Sequence, residues 1–255
     1  VGSEMCKETV FEQLADNILP QLRYSRITAS VNVIGKSDEE IVALFNSNPA
    51  ALNVDELLYA ATLTDDNGRR MAIYTKATEL FPEDYRTWND LGLTQYVAGD
   101  YKNAAANFNK AARIAPANGE PQMNLGLIEM LNKNYAKANQ LFGSAAGVNE
   151  LGEALGVYYL KQGDNAAAAR AFGDSKSNNA ALAQILTKDY SKAKSTLAAI
   201  NNPDARTFYL MAILGARTGN QQMLNTNLKQ AVRLDSSLAT QAAKDLEFAD
   251  FSLPF

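Results

Sequence analysis

Gly35-Lys36-Ser37 is the first run whose residue types suggest chemistry. The β-branched stretch Ile27 to Ile34 precedes it and a helix-like pattern follows, the order found in a phosphate-binding loop. That loop also needs a glycine five residues before Gly35, where Ser30 stands. The run therefore reads as a strand end followed by a helix start. Ser37-Asp38-Glu39-Glu40 forms a capping box, with Ser37 as N-cap and Glu40 at N3. Asp65-Asp66-Asn67-Gly68 offers oxygen ligands of the kind calcium takes. It lacks the alternate-residue spacing and the bidentate Glu, and reads as a solvated turn. Glu39-Glu40 and Glu83-Asp84 would act as acid and base only if they faced each other across a cleft. At helix starts they favour the positive end of the dipole instead. The chain holds no histidine, which excludes Ser-His-Asp and Cys-His nucleophiles, His-ligated zinc and His-based pH switches. The single Cys6 forms neither an internal disulfide nor a thiolate metal site, and has no His to activate it. No catalytic, cofactor-binding or metal-binding residue is expected.

The composition agrees. Apolar residues make up 47% of the 255 and charged residues 20%, the balance of a chain that folds around a core. Lys plus Arg is 24 against 28 Asp plus Glu, a net charge of −4, which argues against nucleic acid as a partner. The longest apolar run, Phe208 to Ala216, is about half the roughly 20 residues that a membrane-spanning helix needs. No direct membrane span is expected. The sequence opens Val-Gly-Ser-Glu, so a preceding segment is expected to have been removed.

The elements that must position any site repeat along the chain. Between 85 and 118, Trp88, Leu91 and Gly92 fall on one helix, Gly99-Asp100 makes a turn, and Tyr101, Ala104, Phe108 and Ala111 fall on a second. Pro116 ends the unit. Upstream, 51–84 carries Leu57, Tyr74, Ala77 and Pro82 at equivalent places. Downstream come Leu125, Gly126, Tyr135, Ala138 and Phe142, then Leu155, Gly156, Gly163-Asp164, Ala168 and Phe172. Tyr190, Ala193 and Leu197 follow, and then Phe208, Met211, Gly219-Asn220, Leu228 and Ala231. Unit starts fall near 51, 85, 119, 149, 174 and 205. Small residues belong where helices cross, and the large apolar ones fill the space around them. A final capping helix is expected over 238–250, with Lys244, Asp245 and Glu247 outside. Residues 1–50 do not fit the repeat. They read as a helix over 8–19, an extended strand to Ile34, and the helix capped at Ser37.

The pattern of Trp88, Leu91, Gly92, Ala104, Phe108, Ala111 and Pro116 resembles the tetratricopeptide repeat, with the usual tyrosine displaced by one to Tyr96. The resemblance implies an all-α solenoid of about six helix pairs over 51–250. Such an array is a protein-interaction scaffold without catalysis of its own, binding a protein or peptide partner in the concave groove lined by first helices. Groove positions follow the register: Arg86, Asn89, Leu93, Tyr96 and Val97 in one unit, then Glu120, Met123, Leu127, Met130 and Leu131. Glu150, Glu153, Val157, Leu160 and Lys161 follow in the third, and Arg206, Tyr209, Ile213, Ala216 and Arg217 in the last. Asn89, Leu93, Tyr96, Met123, Leu127, Met130, Val157 and Tyr209 are the expected partner-binding set. The middle of this surface is apolar and Met-rich, suited to an adaptable apolar contact. The Lys, Arg and Asn set with which carboxylate-clamp co-chaperones hold a peptide terminus is not matched. The layout is similar to envelope-associated repeat proteins of Gram-negative bacteria, which implies a periplasmic or outer-membrane-associated location, with the cytoplasm as the alternative. The other functional reading is an interaction module of a larger envelope protein, whose catalytic or membrane-anchored domain lies outside this sequence.

Overall fold

A computed structural model describes residues 35–255. The expected helix over 8–19, the strand ending at Ile34 and Cys6 lie outside the described residues. The chain divides into two units, Val1–Glu40 and Ile41–Phe255. In the first, Ser37 Oγ accepts from Glu40 N at 3.3 Å, and Ser37 N donates to the Glu40 carboxylate at 2.8 Å. This is the expected capping box, and it opens helix α1 (Asp38–Ser47).

The second unit is a run of antiparallel helix pairs. They are α2 (Val54–Thr62) with α3 (Asn67–Leu80), α4 (Tyr85–Val97) with α5 (Tyr101–Ile114), and α6 (Gly119–Leu131) with α7 (Tyr135–Gly143). Then come α8 (Leu151–Gln162) with α9 (Asn165–Phe172), α10 (Asn178–Leu186) with α11 (Tyr190–Ala198), and α12 (Ala205–Arg217) with α13 (Gln221–Leu234). Each helix packs chiefly on its neighbours in the chain. The six pairs match the repeat expected from sequence, and the described residues contain no strand. The second helices of the third to fifth pairs are short, with α7, α9 and α11 spanning 9, 8 and 9 residues against 14 in α3, α5 and α13.

Local chemistry starts most of these helices. Asn53, Asp66, Asp84, Asp100, Asn118, Asp164, Ser177, Asp189, Asp204 and Asn220 each accept a backbone N–H of the first turn. These N–H groups have no partner inside the helix, so each cap removes one orphan donor. Asp66 thus spends a carboxylate oxygen on Arg69 N at 2.8 Å, and neighbouring Asp65 pairs with Arg70 at 3.4 Å. That is the turn chemistry expected of Asp65-Asp66-Asn67-Gly68.

One turn recurs inside five of the pairs. The residue before the second-helix cap is left-handed, and the cap N–H reaches back to a carbonyl of the first helix. Asp100 N bonds Gln95 O, Asn134 N bonds Glu129 O, Asp164 N bonds Tyr159 O, Asp189 N bonds Gln184 O and Asn220 N bonds Gly215 O. Glycine fills the left-handed position at Gly99, Gly163 and Gly219, but Lys133 (φ 61°) and Lys188 (φ 65°) fill it in the other two. A side chain there is disfavoured by its own Cβ.

Within a pair, the first helix presents a glycine to an aromatic ring of the second. A Cβ on Gly92 would lie 2.8 Å from the Phe108 ring; on Gly126, 2.5 Å from Phe142; on Gly156, 2.5 Å from Phe172. The three rings are buried. The fifth pair packs Ala181 near Ala193 and Leu197, and in the sixth Gly215 backs onto Leu224. The core is thus a chain of local clusters rather than one centre.

The C-terminal cap corrects an expectation. Its helix, α14 (Ser237–Ala242), is short and is followed by a turn and a 3-10 helix over Leu246–Phe248. Lys244 is exposed as expected. Asp245 and Glu247 instead face the last pair, where Asp245 accepts from the Tyr209 hydroxyl at 2.7 Å and Glu247 accepts from Arg217 Nε at 2.8 Å. Phe248 is buried edge-on against Tyr209, and apolar Leu246 is left outside. The polar groups turn inward because the half-buried Tyr209 hydroxyl and Arg217 guanidinium need acceptors there.

Two substitutions should move stability in opposite directions. Lys133→Gly should stabilise by about 0.5–1 kcal/mol by relieving the left-handed backbone. Gly126→Ala should cost about 1–3 kcal/mol by pressing a methyl into the Phe142 ring. Urea melts of both proteins check the signs; a neutral Gly126→Ala would mean that the helices of this pair are not held at close approach.

Candidate functional site

The first helices of successive pairs present one face to a shared trough of about 550 Å³. From α4 it receives Asn89, Asp90 and Leu93; from α6, Glu120, Met123, Asn124 and Leu127. Ala154, Val157 and Glu153 of α8 and the preceding Glu150 continue it, and Asn179 of α10 closes the far end. Asp90 and Leu93 also border a second hollow of about 390 Å³, which extends toward Tyr74 of α3.

The floor is apolar. Met123 is buried and belongs to the Phe142 cluster, and Leu127 packs against the same cluster while still lining the trough. Leu93 is 43% exposed, a large apolar side chain held in solvent at the trough wall.

Two amides cross the boundary between repeats. Asn124 Nδ2 donates to Asn89 Oδ1 at 2.9 Å, tying α6 to α4. Asn89 Nδ2 donates in turn to Asp90 Oδ1 at 3.3 Å. The two residues are 6% and 4% exposed, so only a small part of each meets the trough. The Asn124 carbonyl accepts no hydrogen bond from the described residues and is left open at the trough.

Carboxylates line the walls. Glu120 accepts from the Tyr85 hydroxyl at 3.2 Å, which steadies it. Glu153 receives Ser175 Oγ, and Ser177 Oγ at 3.3 Å, and so links α8 to the start of α10. Glu150 stands exposed at the head of α8. Asp90 is partly buried, and that burial, with the nearby Glu120 charge, pushes its carboxyl up to about 6. Among the described residues no lysine or arginine lines the trough. Arg86, one turn before Asp90, is committed elsewhere: its Nε is 3.0 Å from one Asp84 oxygen, and its Nη1 is 2.7 Å from Asp55. These partners hold its guanidinium above the ordinary range.

The eight residues expected to contact a partner do not all meet. Asn89, Leu93, Met123, Leu127 and Val157 line the one trough. Tyr96 lies half-buried against the Phe108 cluster, its ring edge-on to Tyr101 at 5.3 Å. Met130 packs on the Phe142 cluster. Tyr209 is 6% exposed beneath the C-terminal segment, and burial with the Asp245 carboxylate raises its phenol well above the usual range. Sequence reasoning did not single out Asp90, Asn124, Ala154 or Asn179. Asn89 and Asn124 stand almost one repeat apart, and that register was the available signal.

The comparisons bear on the fold. The tetratricopeptide repeat family model matches residues 72–119. A search of the curated proteins found no match. Among solved structures, pilF from Pseudomonas aeruginosa is 18% identical with a TM-score of 0.57, over 82% of this chain and 99% of its own. A tetratricopeptide repeat protein from Parabacteroides merdae is 16% identical with a TM-score of 0.56, over 80% and 88%. A chain of the APC/C hetero-tetramer Cut9–Hcn1 is 17% identical with a TM-score of 0.63, over 82% of this chain, which spans 43% of that one. The fold is therefore that of a helical solenoid similar to tetratricopeptide-repeat arrays. Identities at this level carry the fold and nothing finer.

The partly buried carboxyl gives a pH signature. Folded Asp90 keeps its proton up to about pH 6, whereas an unfolded aspartate releases it near pH 4. Between those values the folded state binds more protons, so its stability falls as pH rises. Asp90→Asn removes this loss. The variant should be more stable than the parent by about 1–3 kcal/mol at pH 7, with the gap closing toward pH 4. Chemical melts across that range check it; a gap that does not change with pH would contradict the assignment.

Proposed function

We propose that the array is a protein-interaction scaffold, without catalysis of its own, that takes a segment of a partner protein into the trough of α4, α6 and α8. The observation that carries this reading is the trough itself. Three successive repeats place apolar, amide and carboxylate side chains on one continuous concave face. Leu93 stands exposed there, although burying it would be favourable. The trough is open along its length, which suits a polypeptide better than an enclosed small molecule. A fold neighbour that forms a hetero-tetramer fits the same reading. Partner contact is assigned to Asn89, Leu93, Met123, Leu127 and Val157. Tyr96, Met130 and Tyr209 are assigned to packing.

Site-specific photo-crosslinking tests this. A photoreactive side chain at Leu93 or Val157 should capture a partner in the native source, and one at Asn109, exposed on α5, should not. Leu93→Ala should weaken the captured complex by about 1–2 kcal/mol with little change in melting temperature. Tyr96→Ala should lower the melting temperature instead. Crosslinks at Asn109 alone would move the interface off the concave face.

A further inference from the structure

Resting on the reading of the trough as a partner site, we propose that its occupant is a basic, extended peptide segment, with Lys or Arg residues beside aliphatic ones. Four carboxylates, Asp90, Glu120, Glu150 and Glu153, line the trough, and among the described residues no lysine or arginine lines it with them. Arg86, the basic residue one turn from Asp90, is spent on Asp84 and Asp55. An acidic segment would meet like charge along the whole length, and a nucleic acid would meet it at every phosphate. The stems of Lys and Arg are apolar, so they can lie on Leu93, Met123 and Val157 while their charged ends reach the walls. The planar guanidinium suits Asp90 in particular, because it is less strongly hydrated than an ammonium and tolerates a partly buried partner.

The amide pair is a second and independent observation. Asn124 is 4% exposed, lines the trough, and has a carbonyl that accepts from no described residue. That oxygen is open at the trough, so a backbone N–H of the bound segment can take the place of water there. A helix commits its interior N–H groups to itself, whereas an extended chain leaves them available along its edge. The amides thus favour an extended occupant, and the carboxylates select its charge.

The test begins from a random-sequence peptide display library selected on the whole chain. Enriched peptides should carry more Lys and Arg than the starting pool. A labelled enriched peptide should bind more weakly as salt rises, because added ions screen the exposed charge pairs. The Asp90→Asn/Glu120→Gln/Glu150→Gln variant keeps the shape and hydrogen-bonding groups but removes three charges. It should weaken that peptide by about tenfold or more. N-methylating successive backbone amides should reveal at least one position where losing the N–H weakens binding.

Enrichment of neutral or acidic peptides that Leu93→Trp/Val157→Trp displaces would overturn the basic occupant and leave the trough as the partner site. Enriched peptides that this blocking variant binds unchanged, or no enrichment at all, would overturn both readings. Should the charge variant fail to fold, salt-independent binding to the parent chain would still refute the charge claim. Indifference to every N-methylation would refute the extended conformation.

Discussion

The close approach of a glycine to a phenyl ring sets the geometry from which the rest of this structure follows. At Gly92 and Phe108, Gly126 and Phe142, and Gly156 and Phe172, no room remains for even a methyl group without displacing the ring. The contact fixes how near the two helices of a pair come, and the same spacing recurs in three successive pairs. Helices held at equal separations stack in register, so equivalent faces of α4, α6 and α8 come to line one trough.

The trough inherits its chemistry from that register. Asn89 and Asn124 meet at 2.9 Å because neighbouring repeats bring nearly equivalent positions face to face. The carboxylates gather for the same reason, on successive first helices. The protein offsets part of their repulsion locally. Glu120 takes the Tyr85 hydroxyl, Glu153 takes two serine hydroxyls, and Asp90 accepts one amide hydrogen bond and holds its proton more tightly. Among the described residues no lysine or arginine lines the trough, although the Arg86 charge acts on Asp90 from nearby. The remaining negative potential is available to an incoming segment.

The periodic residues made much of this legible in the sequence. Gly92, Phe108, Gly126, Phe142, Gly156 and Phe172 announce the pairs, and the first-helix register finds five trough residues. What the sequence hid depends on contacts beyond one unit. Lys133 and Lys188 occupy left-handed turns where glycine was the readable signal, because the reach-back hydrogen bond compensates a costly backbone. Asp245 and Glu247 read as solvent-facing from their own segment. Their partners, Tyr209 and Arg217, lie about one repeat upstream, so only the folded-back cap shows them turned inward. Tyr96 looked like an aromatic groove anchor, yet its ring faces Tyr101 across its own pair. One residue of helical rotation separates groove from core, and the period alone does not resolve it.

Nitrogen-resolved NMR tests the central claim most directly, because the side-chain amides of Asn89 and Asn124 report from the trough itself. Titration with a binding Lys- and Arg-containing peptide should shift those two amide pairs together with backbone signals of α4, α6 and α8. Signals of α5, α7 and the C-terminal cap should stay in place. Shifts confined to the second helices, or Asn89 and Asn124 amides that do not move while the peptide binds, would contradict the account.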